Sequence, residues 1–366
     1  MSGAAIMGLG TAVPERSIGQ DDALAVAQAM GGDAEHAKLL AVLYRRSNVG
    51  RRGSVLLDDP AGGAPARQRF FPPARHSDDR GPTTQARLER FEEEAAPLAL
   101  RSARAALDES GVRASSLTHL ITVSCTGFAA PGVDASVIRA LGLSPAVART
   151  NIGFMGCHGA INGLRVASAF VSQDPGARVL LTAVELCSLH FQYGTDPQRA
   201  VANALFADGA ASAVLGTPAT SDAGADPWRV AATGSCLIPD SQDAMTWRIR
   251  DHGFEMTLSP RVPALIESNL GGWLHEWLSC HGLGVGDIGS WAIHPGGPRV
   301  ISTVASAAGI GDDTTAPSRA VLSDHGNMSS PTVLFIVDRL RRAGAARPCV
   351  ALAFGPGLVV ESALFH

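Results

Sequence analysis

The chain has 366 residues, 46% of them hydrophobic and 17% charged, with a formal net charge of −4. It is too apolar for a disordered chain, too long to need disulfide staples, and lacks the basic excess of a nucleic-acid binder. Lys38 is the single lysine, so any grip on phosphate falls almost wholly to arginine.

Residues 4–13 read as a first strand closed by Pro14, not as a signal peptide, because no basic segment precedes the apolar run. Residues 20–31 and 33–46 read as helices, with Asp33 as N-cap of the second. The Gly-, Pro- and Arg-rich stretch 50–82 reads as surface loop. A long helical pattern follows from Thr83, kinked or split at Pro97, its acidic start and basic later half complementing the helix dipole. Then come a buried strand (119–125), a small-residue loop TGFAAPG, a helix DASVIRALGL, a strand ARTNIGF, a helix from GCHGAING, a strand RVLLTAVEL and the apolar run of ALFADGAASAVLG. TPATSDAGADP (217–227) is the linker candidate, which divides the chain into 1–217 and 218–366. The second part alternates in the same way, through a strand RVAATGSCL, helix 260–281, strand 290–296, helix 298–309, a helical period after GNMSSP, and two strands around a Gly-Pro-Gly turn. Alternating strands and helices predict a layered α/β fold with parallel strands. No apolar run approaches the roughly 20 residues of a membrane span. The six cysteines form no C-x-x-C pair, against a zinc ribbon or redox motif. These features predict a cytoplasmic protein with free thiols.

Three local patterns carry chemistry. Cys157 sits at a strand-to-helix turn among glycines, where the helix N-terminus favours a thiolate and small neighbours let a substrate approach; a buried small hydrophobe is the bland alternative. His294 ends a buried strand before Pro295-Gly296-Gly297, which delivers an imidazole to a sheet edge, although a lone core histidine is commoner. Asn327 precedes an amphipathic helix, where it serves either as a cap or as an amide donor to a substrate oxygen.

Together these blocks resemble the type III polyketide synthases, the chalcone- and stilbene-synthase family of the thiolase-fold superfamily. GFMGCHGAINGLR, ALFADGAASAV, WAIHPGGPRV, DHGNMSSPTVLFIVDRL and AFGPGLVVES carry the resemblance over essentially the whole chain. CTGFAAPGVD and ELCSLHFQ resemble the bacterial alkylpyrone and alkylresorcinol synthases. The resemblance implies a duplicated five-layer α-β-α-β-α thiolase fold, with the nucleophile in 1–217 and its partners in 218–366. It implies a homodimer in which Ala130 nears the partner's cavity. It also implies a Cys157–His294–Asn327 triad: Cys157 takes an acyl group from coenzyme A, and His294 and Asn327 stabilise the enolate left when malonyl-CoA loses CO2. Acyl-CoA and malonyl-CoA are then substrates, with no cofactor, metal, nucleic acid or membrane span.

By the same resemblance Phe206 is an aromatic gate, Met256 replaces a second one, and Phe354 belongs to the Gly-Pro-Gly loop. Cys125, His190, Trp247 and Ser329 line the cavity; the first three depart from the plant enzymes, against a flavonoid product. Arg46, with Arg45 and Lys38, would grip the phosphates of coenzyme A. The expected product is an alkylpyrone or alkylresorcinol from a medium- or long-chain starter. The alternatives are a ketoacyl-carrier-protein synthase III-like enzyme and a Cys–His thioester hydrolase.

Overall fold

A computed structural model describes residues 3–58, 67–218 and 227–366; most of the 217–227 segment and residues 59–66 of the surface loop lie outside the described residues. The chain opens with β1 (Ala4–Ala12), β2 (Ser17–Gly19), α1 (Gln20–Ala29), α2 (Ala34–Arg46) and β3 (Arg51–Gly53), which pairs with β2. Asp33 caps α2 as its sequence predicts, its carboxylate accepting from the His36 amide at 2.8 Å. α3 (Thr84–Ser110) is one helix and is not split at Pro97; neither end turn carries the charges that the dipole argument required. Its buried face runs past the proline from Phe91 through Ala95, Leu98 and Ala99 to Ala106, so packing outweighs the one hydrogen bond that proline cannot make.

Next come β4 (His119–Ser124), α4 (Val133–Leu141), β5 (Ala148–Gly153), α5 (Gly159–Gln173), β6 (Arg178–Leu186), α6 (Pro197–Leu205) and β7 (Asp208–Gly216). Beyond residue 227 lie β8 (Arg229–Leu237), a hairpin of β9 (Met245–Arg250) and β10 (Gly253–Leu258), α7 (Val262–Ser279), β11 (Ser290–Ile293), α8 (Pro298–Ala308), α9 (Ala316–His325), α10 (Thr332–Arg342), β12 (Cys349–Gly355) and β13 (Val359–Phe365). Sequence reading does not pick out α6, α9 or the hairpin, all of them short. The readable signal for α6 is Asp196-Pro197: the aspartate accepts from the amides of Gln198 and Arg199, and proline takes the first helical turn.

The pairing pattern occurs twice. β4 runs parallel to β5 and β6, β6 antiparallel to β7, and β7 antiparallel to β1. Likewise β11 runs parallel to β12, β12 antiparallel to β13, and β13 antiparallel to β8. The two sets join where Ala4 and Ala5 of β1 pair with Val230 and Arg229 of β8, completing a nine-strand order. α5 and α10 lie between them, in one core with inward residues of both sets such as Leu181, Ala213, Ala351 and Ala363. α3 and α4 cover the outer face of the first set, α7 and α8 that of the second. This is the five-layer thiolase fold. α10 is buried almost all round, as a helix between two sheets must be.

Glycines let α3 lie against β1. A Cβ on Gly10 would stand 2.3 Å from the Ser102 carbonyl oxygen and 2.5 Å from the Ala106 nitrogen, both rigid backbone. Gly10→Ala is therefore expected to cost about 1–3 kcal/mol, read as a lower midpoint of chemical unfolding. An unchanged midpoint would mean that α3 shifts freely on the sheet.

Candidate active site

After β5 the chain turns sharply through Phe154 and Gly156, at φ +61° and +72°. A Cβ on Gly156 would also meet Pro356 Cδ at 2.5 Å, so the turn requires glycine twice over. Cys157 follows in a single 3-10 turn that leads into α5, and it is buried. The expected help from the helix N-terminus is outweighed. Burial pushes the thiol up to about 11, with hydrogen bonds from Ser329 and Asn327 acting against it and the buried Glu185 carboxylate adding to it.

His294 follows β11, its amide bound to the Leu352 carbonyl at 2.8 Å. Both ring nitrogens are buried and make no hydrogen bond to any described residue. Burial pushes its pKa down to about 3, helped by repulsion from His158. Each shift describes a single charge. Moving the thiol proton to the imidazole creates both charges at once, and each then offsets the burial of the other.

Asn327 is held by its backbone. Its amide donates to the Leu205 carbonyl at 2.9 Å, and its own carbonyl accepts from the Ala207 amide at 2.9 Å. The Asn327 Oδ1 accepts from the Ser329 amide at 2.8 Å, which leaves the side-chain NH2 to donate toward Cys157. Cys157, His294 and Asn327 line one pocket with Phe206, Met256 and Phe354, walled by Val201, Val262 and Val300 of α6, α7 and α8.

Two further cavities meet this pocket at Phe206 and Met256. One holds Cys157 with Cys125, Trp247 and Ser329. The other is apolar and extends past His190 to Ile18, Val26 and Met30 beside α1. Phe206 and Met256, the residues expected to act as gates, each line all three cavities. Trp247 donates from its indole to the Cys125 carbonyl at 2.7 Å, and the Cys125 sulfur lies 3.3 Å from Ser329 Oγ. His190 contrasts with His294: Nδ1 accepts from the Phe254 amide at 3.0 Å, so Nε2 carries the proton and donates to the Thr126 carbonyl at 2.6 Å. Burial pushes its pKa to about 3, and its ring stacks on Phe254. It is a neutral wall residue.

Lys38, Arg45 and Arg46 lie exposed on α2, and none lines these cavities. Sequence reading missed Glu185, a buried carboxylate at the end of β6. It accepts from the Cys125 amide, Thr126 Oγ1 and Ser330 Oγ. A lone acidic residue in the apolar run RVLLTAVEL was its signal. Among the described residues no group of three or more His, Cys, Asp or Glu could hold a metal ion.

Residues 1–219 match the N-terminal domain, and residues 229–366 the C-terminal domain, of the chalcone and stilbene synthases. The "alpha-pyrone synthesis polyketide synthase-like Pks18" of Mycobacterium tuberculosis is 33% identical over 99% of this chain and 91% of that protein. The "3,5-dihydroxyphenylacetyl-CoA synthase" of Amycolatopsis balhimycina is 32% identical over 98% and 92%. Among solved structures, PKS-I from the brown alga Ectocarpus siliculosus superposes with a TM-score of 0.93 at 34% identity, covering 100% of this chain and 98% of that one. With both halves matched and full-length relatives above 30% identity, the chain belongs to the chalcone and stilbene synthase family and is an acyltransferase of the type III polyketide synthase class.

Proposed function

We propose that the enzyme loads a medium- or long-chain acyl group on Cys157, extends it with malonyl-CoA, and releases an alkylpyrone. The observation that carries this reading is the convergence of Cys157, an unbonded His294 and the oriented amide of Asn327 in one buried, apolar-walled pocket. The Cys157 thiol gives its proton to His294, and the thiolate attacks the acyl-CoA carbonyl and expels coenzyme A as thiol. Malonyl-CoA then loses CO2, and the electron pair of the broken C–C bond becomes an enolate. Its charge falls on the thioester oxygen, where the His294 ring N–H and the Asn327 amide donate without solvent reorganisation. The enolate carbon attacks acyl-Cys157 and expels the Cys157 thiolate, which leaves the extended chain on coenzyme A; that thiolate then attacks the extended thioester and expels coenzyme A, reloading Cys157 for the next round. Attack of a terminal enol oxygen on the thioester closes the lactone and releases the last thiol.

The starter's tail passes Phe206 into the apolar cavity beside α1, and Arg46, with Arg45 and Lys38, holds the phosphates of coenzyme A from the surface of α2. A lactone rather than a resorcinol suits the M. tuberculosis relative, whose name specifies alpha-pyrone synthesis. The working unit is a homodimer. β5 ends the strand order, and its edge is exposed beside Phe128 and Met155, themselves 50% and 37% exposed. An open edge flanked by apolar side chains suits a second copy of the chain, with Ala130 on the same loop.

The decisive experiment incubates the enzyme with malonyl-CoA and starters from acetyl- to palmitoyl-CoA, with products read by mass spectrometry. Alkylpyrones whose mass rises with the starter are expected, with none from Cys157→Ala. Val26→Trp, which fills the apolar cavity, should shift the preferred starter to shorter chains. Acyl-Cys157 without extension, or an unshifted preference, would overturn the corresponding claim.

Alkylation by iodoacetamide tests the ion pair. Wild-type Cys157 should react near pH 7. In His294→Ala the thiol must ionise unaided, and since burial raises its pKa, the thiolate becomes scarce below about pH 11 and alkylation moves to alkaline pH. Coincident profiles would remove His294 from the pair. Light scattering should give twice the chain mass, and Phe128→Asp should yield monomers; a monomeric wild type would sink the dimer.

A further inference from the structure

Behind the gate lies a buried guanidinium that the chemistry above does not use. Arg52, in the middle of β3, is 7% exposed. Its Nη1 donates to the carbonyl oxygens of Asn203 and Phe206 at 2.6 and 3.1 Å, and its Nη2 to Gln20 Oε1 at 2.7 Å. Gln20 Nε2 donates in turn to the Ala204 carbonyl at 2.9 Å and to Ser47 Oγ at 2.8 Å. Asn203, Ala204 and Phe206 are at the C-terminal end of α6, whose last carbonyls have no intrahelical donor and where the helix dipole favours a cation. The Tyr44 ring lies 5.3 Å from the guanidinium carbon. Burial works against the charge, while Tyr44 and Asp208 support it.

The segment held in this way is the one bonded to Asn327, through Leu205 on one side and Ala207 on the other. We propose that Arg52 is a positioning residue for the reaction: by clamping the carbonyls that end α6, it sets Phe206 and, across one backbone bridge, Asn327. The inference rests on the roles given above to Phe206 and Asn327. It explains why a charge is buried where a hydrophobe would fill the same space. The guanidinium's planar fork serves two backbone carbonyls and a side-chain amide at once, which neither an aliphatic residue nor a lysine can do.

The test compares the full-length enzyme with Arg52→Met, Arg52→Lys and Gln20→Leu, using malonyl-CoA and dodecanoyl-CoA. It reads acyl-Cys157 by intact mass, and kcat and KM for extension from CO2 release and product. A donor displaced by a fraction of an ångström acts on the transition state. Arg52→Met should therefore lose at least about ten-fold in kcat, with KM for malonyl-CoA within about three-fold and acyl-Cys157 still formed. Arg52→Lys should recover part of the loss. Gln20→Leu, which frees one end of the clamp but keeps the guanidinium, should lose about three-fold in kcat, and it decides the matter if Arg52→Met does not fold. A kcat within about two-fold of wild type in Arg52→Met or an unchanged Gln20→Leu, or equal losses of loading and extension, would reduce Arg52 to packing and overturn the proposal. A wild-type enzyme that releases no CO2 from malonyl-CoA would instead overturn the functional reading itself, a result visible without any variant.

Discussion

The candidate site depends on one packing constraint: α5 and α10 must share the space between two strand sets. α5 begins just after Cys157, and α10 begins just after Asn327-Met328-Ser329. When the two helices bury their faces in one core, the turns that precede them are brought to the same place. Met328 is fully buried and packs so closely on Gly209 that a Cβ there would stand 2.4 Å from its sulfur. Glu185 ties the same junction from the polar side, joining the Ser330 hydroxyl before α10 to the Cys125 amide after β4. Apolar burial supplies the driving force; the carboxylate, with donors on both sides, sets the register.

That arrangement also explains the electrostatics. A pocket walled by valines and a phenylalanine disfavours any single charge, which raises the Cys157 thiol and lowers the His294 imidazole. The same dryness strengthens a charge that has a partner, and it strengthens donors aimed at a developing oxyanion. His190 and His294 show the difference in kind. Both are buried and held neutral, but His190 spends both nitrogens on backbone groups, whereas both His294 nitrogens are without a partner among the described residues. A histidine's use here is decided by its hydrogen-bond partners more than by its pKa.

Much of the site is legible in the amino-acid order alone. The glycines around Cys157, the Pro-Gly-Gly turn after His294 and the helix following Asn327 are local features, and local features are written in neighbouring residues. Arg52 and Glu185 are not legible in this way. Their partners are the C-terminal end of α6, the turn after β4 and the start of α10, many residues away in sequence, and a single arginine in GRRG looks like any surface charge until α6 is packed over it. Pro97 misleads for a related reason: its local cost is real, but the buried face of α3 against β1 is larger.

By itself the sequence determined the family and most of the longer strands and helices, and it singled out Cys157, His294 and Asn327 as candidates, because each depends on backbone turns and side-chain chemistry within a few positions. Only the tertiary structure decided that Cys157 and His294 sit in a dry pocket where neither carries a charge alone. It also decided that Phe206 and Met256 stand between three cavities, and that a buried arginine ends α6. Burial and cavity shape are sums over distant segments, so no window of the chain contains them.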